Sequence, residues 1–153
     1  MNSIHASAVI IGTYAIMIRG ESGAGKTSLG HLLIQNKAQY GFAHGCWLAD
    51  DRLILDSIQN VIIASCPPQL INKAEVYGLG IVPVPAINHA QLAFVIDIEN
   101  DILTNRIAEP EDLFTNILGS KIPFLRINTL NGAQIHAIFV AYKAIIQNQW
   151  PMC

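Results

Sequence analysis

An eight-residue segment near the start of the chain constrains its fold and function more than any other part of the sequence. It fits the pattern G-x-x-x-x-G-K-[ST] at every fixed position and reads Gly20-Glu21-Ser22-Gly23-Ala24-Gly25-Lys26-Thr27. A loop of this type surrounds a phosphate with backbone N–H groups, and the helix behind it directs its positive end at the anion. Lys26 is expected to reach the β- and γ-phosphates, and the Thr27 hydroxyl to ligate Mg²⁺. The segment therefore predicts nucleotide binding.

The residues on either side of this loop supply the context that the motif requires, a strand before it and a helix after it. Tyr14–Ile18 is an apolar run typical of a strand, and Ser28–Ile34 carries its leucines on one helical face. Ala6–Ile11 and Tyr14–Ile18 flank Gly12-Thr13, which predicts a hairpin whose second strand enters the loop. The helix after the loop is expected to run to about Lys37.

Composition narrows the class of protein. The 153 residues suffice for one domain with a proper core, and 52% are hydrophobic whereas only 13% are charged. This apolar composition predicts that a second copy covers part of the surface, as in a homo-oligomer. A formal net charge of −2 argues against nucleic acid as a partner, and neither a signal peptide nor a membrane-spanning run is visible. Three widely spaced cysteines without a C-x-x-C pair suit a reducing cytoplasm.

The rest of the chain mixes strand-like and helix-like runs. Five runs are predicted as strands: Cys46–Ala49, Arg52–Asp56, Val61–Ser65, Gln91–Ile98 and Ile122–Ile127. Gln69–Ala74 is predicted as a loop or a single turn, and Glu109–Asp112 resembles the start of a helix. Asn131 is predicted to cap a last helix that continues to about Gln149. Hairpin-like pairs outnumber βαβ units, so we expect an α/β fold with a mixed sheet and flanking helices.

Two adjacent acids, Asp50 and Asp51, follow the strand Cys46–Ala49 where it breaks into a loop. Phosphoryl transfer needs carboxylates in such a place, to hold the metal directly or through water and to accept the proton of an attacking hydroxyl. The apolar residues before and after the pair imply a largely buried setting. We therefore interpret the pair as functional rather than as solvated surface acids.

Three further residues gain interest from their position in the sequence. Glu75 precedes Gly78-Leu79-Gly80, whose glycines permit a close approach to a ligand. His5 begins the strand pair that enters the loop, and Arg106 belongs to a type favoured for gripping phosphoryl oxygens. Judged singly, none of the three decides between a structural and a functional role.

Taken together, three segments resemble the catalytic domain of HPr kinase/phosphorylase: Gly20–Thr27, Leu48-Ala49-Asp50-Asp51-Arg52, and Glu75-x-x-Gly78-Leu79-Gly80-Ile81. The resemblance spans roughly residues 3 to 145 and implies a P-loop kinase fold of the HPr kinase C-terminal and PEP carboxykinase-like type. It implies one catalytic domain over residues 1–153, without the family's N-terminal domain. The implied activity uses ATP and Mg²⁺ to phosphorylate a serine of HPr, the phosphocarrier of the sugar phosphotransferase system. Many members also remove that phosphate with release of pyrophosphate, and family members form hexamers.

The resemblance also implies roles for individual residues. His5 matches the active-site histidine, Lys26 matches the loop lysine, and Arg106 matches the catalytic arginine. Asp51 matches the general base toward the substrate serine. The residues implied to hold the metal are Thr27, which replaces the more usual serine, with carboxylate help from Asp50 and Glu75.

The chain departs from the family pattern in two places that carry positive charge in other members. Tyr77 stands where arginine is usual, and residues 129–133 replace a basic Pro-Gly-Arg turn. The lost cations favour the kinase direction over the phosphorylase direction. Two other functions stay open: a small-molecule kinase or plain NTPase with the same loop, and a nucleotide-sensing module that has lost catalysis.

Overall fold

Two parallel strands at the centre of a mixed sheet organise the fold. The structure is a computed structural model that describes residues 3–68, 73–76, 79–83, 88–99, 110–128 and 131–151. Within these ranges the strands are β1 (Ser3–Ile4), β2 (Ser7–Ile11), β3 (Tyr14–Arg19), β4 (Gly45–Ala49), β5 (Leu53–Ile58), β6 (Val61–Ser65), β7 (Lys73–Val76), β8 (Gly80–Pro83), β9 (His89–Ile98), β10 (Phe114–Ile117) and β11 (Ser120–Ile127). The helices are α1 (Lys26–Asn36) and α2 (Gly132–Ile146), with short 3₁₀ helices at Lys37–Tyr40 and Pro110–Leu113.

The long strand β9 connects the two parts of the sheet. The main path runs β1-β5-β6-β9-β3-β2-β4, and β7 pairs with β8 in a separate hairpin. β9 lies parallel to β3 on one side, and on its other side it pairs antiparallel with β6 through its first residues and parallel with β11 through its last. Antiparallel β10 extends β11. The carboxyl ends of β3, β9 and β11 therefore meet at one edge.

Strand alternation divides the interior into two cores. Ile16 and Ile18 of β3 join a core on the helix side, together with α1, α2 and Phe94 of β9. Ala15 and Met17 of the same strand face the opposite core, which contains side chains of β4, β5, β6 and β11. Both helices thus pack on one face of the sheet, and the sheet covers its other face with its own outer strands. No helix in the described ranges is long and apolar enough to span a bilayer.

Several predicted elements are confirmed. The hairpin into the loop forms around Gly12, which has a φ of +72°. The runs Arg52–Asp56 and Val61–Ser65 correspond to β5 and β6, which pair as a hairpin that turns at Gln59 and Asn60. The Asn131 side chain caps α2 by accepting a hydrogen bond from the N–H of Gln134 at 3.0 Å. α2 itself ends at Ile146, slightly earlier than expected.

Other expectations about the elements were wrong. Gln69–Ala74 was predicted to contain no strand, yet β7 begins at Lys73. A helix does start at Pro110 with acids in its first turn, as expected, but it is a 3₁₀ helix that ends at Leu113, and the chain then enters β10, which the sequence did not predict. The turn between β10 and β11 puts Leu118 at a φ of +49°. Leucine is uncommon in that left-handed region, so Gly119, with a φ of +86°, was a weaker turn signal than Asn-Gly or Asp-Gly would be.

A buried tyrosine ties α2 to the hairpin that precedes the loop. The Tyr142 hydroxyl is fully buried and donates to the carbonyl oxygen of Ile11, with that of Tyr14 at 3.4 Å. Burial raises the pKa of this hydroxyl well above its usual value, so the hydroxyl keeps its proton and its role as a donor. The contact holds β2 and β3 against the helix side.

The packing of α1 on the edge strand β4 depends on a glycine. A Cβ added at Gly30 would lie 2.3 Å from Cη2 of Trp47, a core side chain that is 3% exposed. We expect Gly30→Ala to lower the free energy of unfolding by about 1–3 kcal/mol through overpacking, although alanine is the better helix former. Urea denaturation measures the change.

Gly132→Ala is the matched control for this prediction. Gly132 is the first residue of α2, and a Cβ there meets no atom within 4 Å. We expect its free energy of unfolding to stay within about 0.5 kcal/mol of the original protein. Equal stability of the two variants would contradict the tight α1–β4 contact.

Candidate active site

The glycine-rich loop lies where β3 ends, and α1 begins inside the motif itself. Gly23 and Gly25 have φ values of +82° and +103°, conformations that favour glycine. A Cβ at Gly20 would lie 3.1 Å from Cβ of Ala24 and 3.2 Å from the carbonyl oxygen of Ile98, so a side chain there would crowd the loop against β9. The loop backbone and the N-terminus of α1 therefore form one concave surface suited to an anion.

Lys26 is buried against this loop. It is 6% exposed, and its Nζ donates to the carbonyl oxygens of Gly20 at 2.9 Å and Glu21 at 3.1 Å. A lysine ammonium has three donors and no acceptor, so backbone carbonyls hold it in place over the loop.

An ion pair anchors the entry of the loop to the central strand. Arg19, the last residue of β3, donates from Nε to Oδ1 of Asp97 at 2.6 Å and from Nη2 to Oδ2 at 3.1 Å. The Arg19 guanidinium also lies 5.7 Å from the ring centroid of Phe124. A bidentate pair of this kind fixes geometry as well as adding stability. It holds the parallel strands β3 and β9 together one residue before the loop.

Asp50 lies beside the end of the loop and is 7% exposed. Its Oδ1 accepts hydrogen bonds from the Ser7 hydroxyl at 2.7 Å and from the Thr27 hydroxyl at 2.9 Å, and its Oδ2 lies 3.1 Å from Thr27 Oγ1. The carboxylate thus joins three elements, β2, α1 and the end of β4. The buried setting that the sequence implied is confirmed for this residue.

Asp51 has a different environment from its neighbour. Its side chain is 60% exposed, so the expectation of a largely buried pair was wrong for this residue. Oδ1 of Asp51 lies 3.0 Å from Nδ1 of His5, whose side chain is 37% exposed. The backbone of Asp51 has a φ of +70°, and its N–H donates to Ser7 Oγ at 3.2 Å. The chain turns sharply after Asp50, which sends one carboxylate inward and the other to the rim.

The loop and the two aspartates surround a cleft with a volume of about 230 Å³. It is lined by Ser22, Gly23, Gly25, Lys26, Thr27, Ser28, Asp50 and Asp51. No cluster of three His, Cys, Asp or Glu side chains suited to a metal occurs in the described ranges. The Thr27 hydroxyl and the Asp50 carboxylate nevertheless fit Mg²⁺, which binds oxygen ligands, keeps several waters and needs only one or two carboxylates beside substrate phosphates.

The structure brings together most of the residues that the sequence singled out. Lys26, Thr27, Asp50 and Asp51 line the cleft, and His5 contacts Asp51 at its rim. The backbone of Glu75 lies in β7 opposite Ile81 of β8, but its side chain lies outside the described part of the chain. Arg106, Tyr77 and residues 129 and 130 also lie outside the described residues.

One residue that contacts both acids was missed. Ser7 is an ordinary strand serine in the sequence, and no motif marks it. Only its spacing of two residues from His5 could have suggested it, because alternate side chains of an extended chain share a face.

The fold and the cleft together define the class of this protein. A strand, a glycine-rich loop and a helix form a P-loop in an α/β fold with a mixed sheet, and two aspartates line the same cleft as the loop. The family model described as the HPr Serine kinase C-terminal domain matches residues 1–150, and the chain belongs to that family.

Individual proteins agree with this assignment. Curated HPr kinase/phosphorylases from Variovorax paradoxus, Polaromonas naphthalenivorans and another Polaromonas species are each 40% identical to this chain over 86 residues. That match covers 56% of this chain and 25% of each relative, so the chain spans about a quarter of the length of these relatives. The structure of the Hpr(Ser) kinase/phosphatase from Coxiella burnetii has a TM-score of 0.76 at 21% identity, covering 97% of this chain and 92% of that one. The predicted family and fold class are confirmed.

Proposed function

We propose that this domain transfers the γ-phosphoryl group of ATP to a serine hydroxyl of an HPr-type phosphocarrier protein. The observation that carries the proposal is the placement of Asp51, an exposed carboxylate at the rim of the P-loop cleft with His5 at 3.0 Å. A base that serves a protein substrate must be reachable from outside while the nucleotide occupies the loop. Family membership and the names of the relatives support the same activity.

In the proposed reaction, the substrate serine oxygen bonds to the γ-phosphorus as the bond from that phosphorus to the leaving ADP oxygen breaks. Asp51 accepts the serine proton, and His5, whose Nδ1 faces Asp51 Oδ1, holds the carboxylate toward the cleft. Lys26 and the loop N–H groups bind the phosphates and stabilise the charge that develops on them. By the family resemblance, Arg106 stabilises the transferring phosphoryl group.

Thr27 and Asp50 are the described residues that would hold Mg²⁺, and Glu75 joins them by resemblance. When bound, the ion neutralises charge on the phosphate oxygens and orients them. Asp50 suits this role because it is buried beside the loop and already paired with the Thr27 hydroxyl. Loss of the usual arginine at Tyr77 and of the basic turn at 129–133 favours the kinase direction over pyrophosphate release.

The direct test is incubation of the purified chain with ATP, Mg²⁺ and purified HPr from the same source. Phosphoserine on HPr, measured by mass spectrometry and dependent on both ATP and Mg²⁺, is the expected result. Phosphorylation of metabolites without phosphorylation of HPr would replace the proposal with a small-molecule kinase. ATP binding without any turnover would replace it with a nucleotide-sensing module.

The Thr27 hydroxyl provides a specific test of the metal site. Thr27→Val keeps the shape of the side chain and removes the hydroxyl that lies 2.9 Å from Asp50 Oδ1. Mg²⁺ is expected to increase the affinity for ATP. We expect this increase to be about tenfold smaller in the variant, because one metal ligand is missing. Titration calorimetry with and without Mg²⁺ measures this gain, and Thr27→Ser, which retains a hydroxyl, is the control. Equal Mg²⁺ dependence of the two variants would contradict the assignment.

The surface supports a homo-oligomer, with hexamers implied by the family resemblance. Six large apolar side chains of the described residues are exposed: Ile58, Leu79, Ile81, Leu118, Val140 and Ile146. Burial of such side chains against a second copy would lower the free energy of the assembly. Sedimentation as a monomer at micromolar concentration would contradict the proposed homo-oligomer. The proposed activity places the protein in the cytoplasm, together with HPr.

A further inference from the structure

We propose that Ser7 is a positioning residue whose single hydroxyl holds both members of the aspartate pair and so sets the direction of the Asp51 carboxylate. This inference rests on the proposed function, because Asp51 is the proposed base. Ser7 does not line the cleft and is fully buried, so it acts through the two acids rather than on the substrate.

The hydroxyl of Ser7 has a hydrogen-bonding role that its partners determine. It donates its one hydrogen to Asp50 Oδ1 at 2.7 Å, because a carboxylate only accepts. It must then accept from the backbone N–H of Asp51, whose nitrogen lies at 3.2 Å. The hydroxyl hydrogen is donated to Asp50, and the hydroxyl oxygen accepts from Asp51. A methyl group in this place would form neither hydrogen bond.

Ser7 performs this task at the end of the backbone ladder. The pairing between β2 and β4 ends at Ala8 opposite Ala49, with a register shift between Ala8 and Val9. Beyond that point Asp51 has a φ of +70°, which directs its backbone away from the strand path. The Ser7 hydroxyl therefore takes the place of the next ladder hydrogen bond and supports a backbone conformation that non-glycine residues adopt rarely.

Ser7 also keeps Asp50 in place independently of the loop. Asp50 Oδ1 accepts from both Ser7 and Thr27, which come from different elements. Thr27 is the residue proposed to ligate Mg²⁺, a role that would engage its hydroxyl elsewhere. Ser7 lies in β2, outside the lining of the cleft, so its hydroxyl would stay free to donate to Asp50 in that state. The hydroxyl thus couples the position of the buried acid to that of the exposed one.

The test compares Ser7→Ala with Ser7→Thr, which retains a hydroxyl, and with Ser120→Ala as a control. Ser120 is a half-buried serine and the first residue of β11, and its hydroxyl lies 3.4 Å from the carbonyl oxygen of Asn60. We expect Ser7→Ala to lower kcat for HPr phosphorylation by about 10- to 100-fold through misplacement of Asp51, while KM for ATP changes by less than about threefold. Ser7→Thr should recover most of kcat, and Ser120→Ala should keep it.

A second measurement needs neither activity nor nucleotide. Hydrogen exchange of the Asp51 amide, followed by NMR, should be faster by about tenfold or more in Ser7→Ala than in the original chain, because its acceptor is gone. Where Ser7→Ala does not fold, Ser7→Cys keeps the shape, weakens both hydrogen bonds and permits the same comparison. Unchanged Asp51 exchange, or unchanged kcat in an active protein, would overturn the inference. If the original chain does not phosphorylate HPr but exchange still depends on Ser7, the proposed function fails and the positioning role stands.

Discussion

Replacement of Asp51 by asparagine is expected to lower the turnover of HPr phosphorylation by about 10²- to 10⁴-fold while ATP binding stays nearly unchanged. The substitution removes the proposed proton acceptor and little else. Asparagine has the same shape, and it tolerates the left-handed backbone that Asp51 adopts at a φ of +70°. Because the side chain is 60% exposed, the fold should lose little stability. Single-turnover kinetics at saturating ATP measure the chemical step.

Asp56→Asn is the matched control for this variant. Asp56 is a half-buried aspartate on β5, the strand that follows Asp51 in the sequence, and it does not line the cleft. Its loss should leave turnover unchanged within about twofold, as expected for a substitution away from the chemistry. Full kinase activity in Asp51→Asn would show that another group takes the proton. A matching loss of ATP affinity would instead indicate that Asp51 acts in nucleotide binding.

Lys26→Met is expected to have a comparable effect through a different step. Methionine replaces the buried stem of the lysine but removes the ammonium that lies 2.9 Å from the carbonyl oxygen of Gly20. Removal of one preorganised donor to a developing negative charge lowers kcat by about 10²- to 10³-fold. Unlike Asp51→Asn, this variant should also bind ATP more weakly, because the lysine is proposed to contact phosphates in the ground state as well. Steady-state kinetics together with ATP calorimetry separate the two effects.

Lys143→Met controls for the loss of one positive charge. Lys143 is an exposed residue in the last turn of α2. We expect it to leave both ATP affinity and kcat within about twofold of the original values, since exposed charges act weakly over distance. Wild-type ATP affinity and kcat in Lys26→Met would show that the loop does not bind the nucleotide through its lysine.

The local features of the fold and site were predictable because each depends on residues close in sequence. Gly20, Gly23 and Gly25 occupy places where a side chain would clash or where φ is positive, and the motif encodes those requirements. The turns at Gly12 and at Gln59-Asn60 and the Asn131 cap follow from equally short-range chemistry. At the Leu118-Gly119 turn, leucine stands where asparagine or aspartate is usual, so the signal was weaker and the strand before it was missed.

The sequence by itself determined that a phosphate-binding loop lies between a strand and a helix, with two acids at the end of a later strand. Only the tertiary structure decided that the acids differ, with Asp50 buried beside Thr27 and Asp51 exposed beside His5. Likewise, only the fold brought Ser7 within hydrogen-bonding distance of both, 43 and 44 residues away along the chain. The physical reason is that motif chemistry depends on neighbouring residues, whereas burial and partner choice depend on which strands pair, and pairing is settled by the whole core.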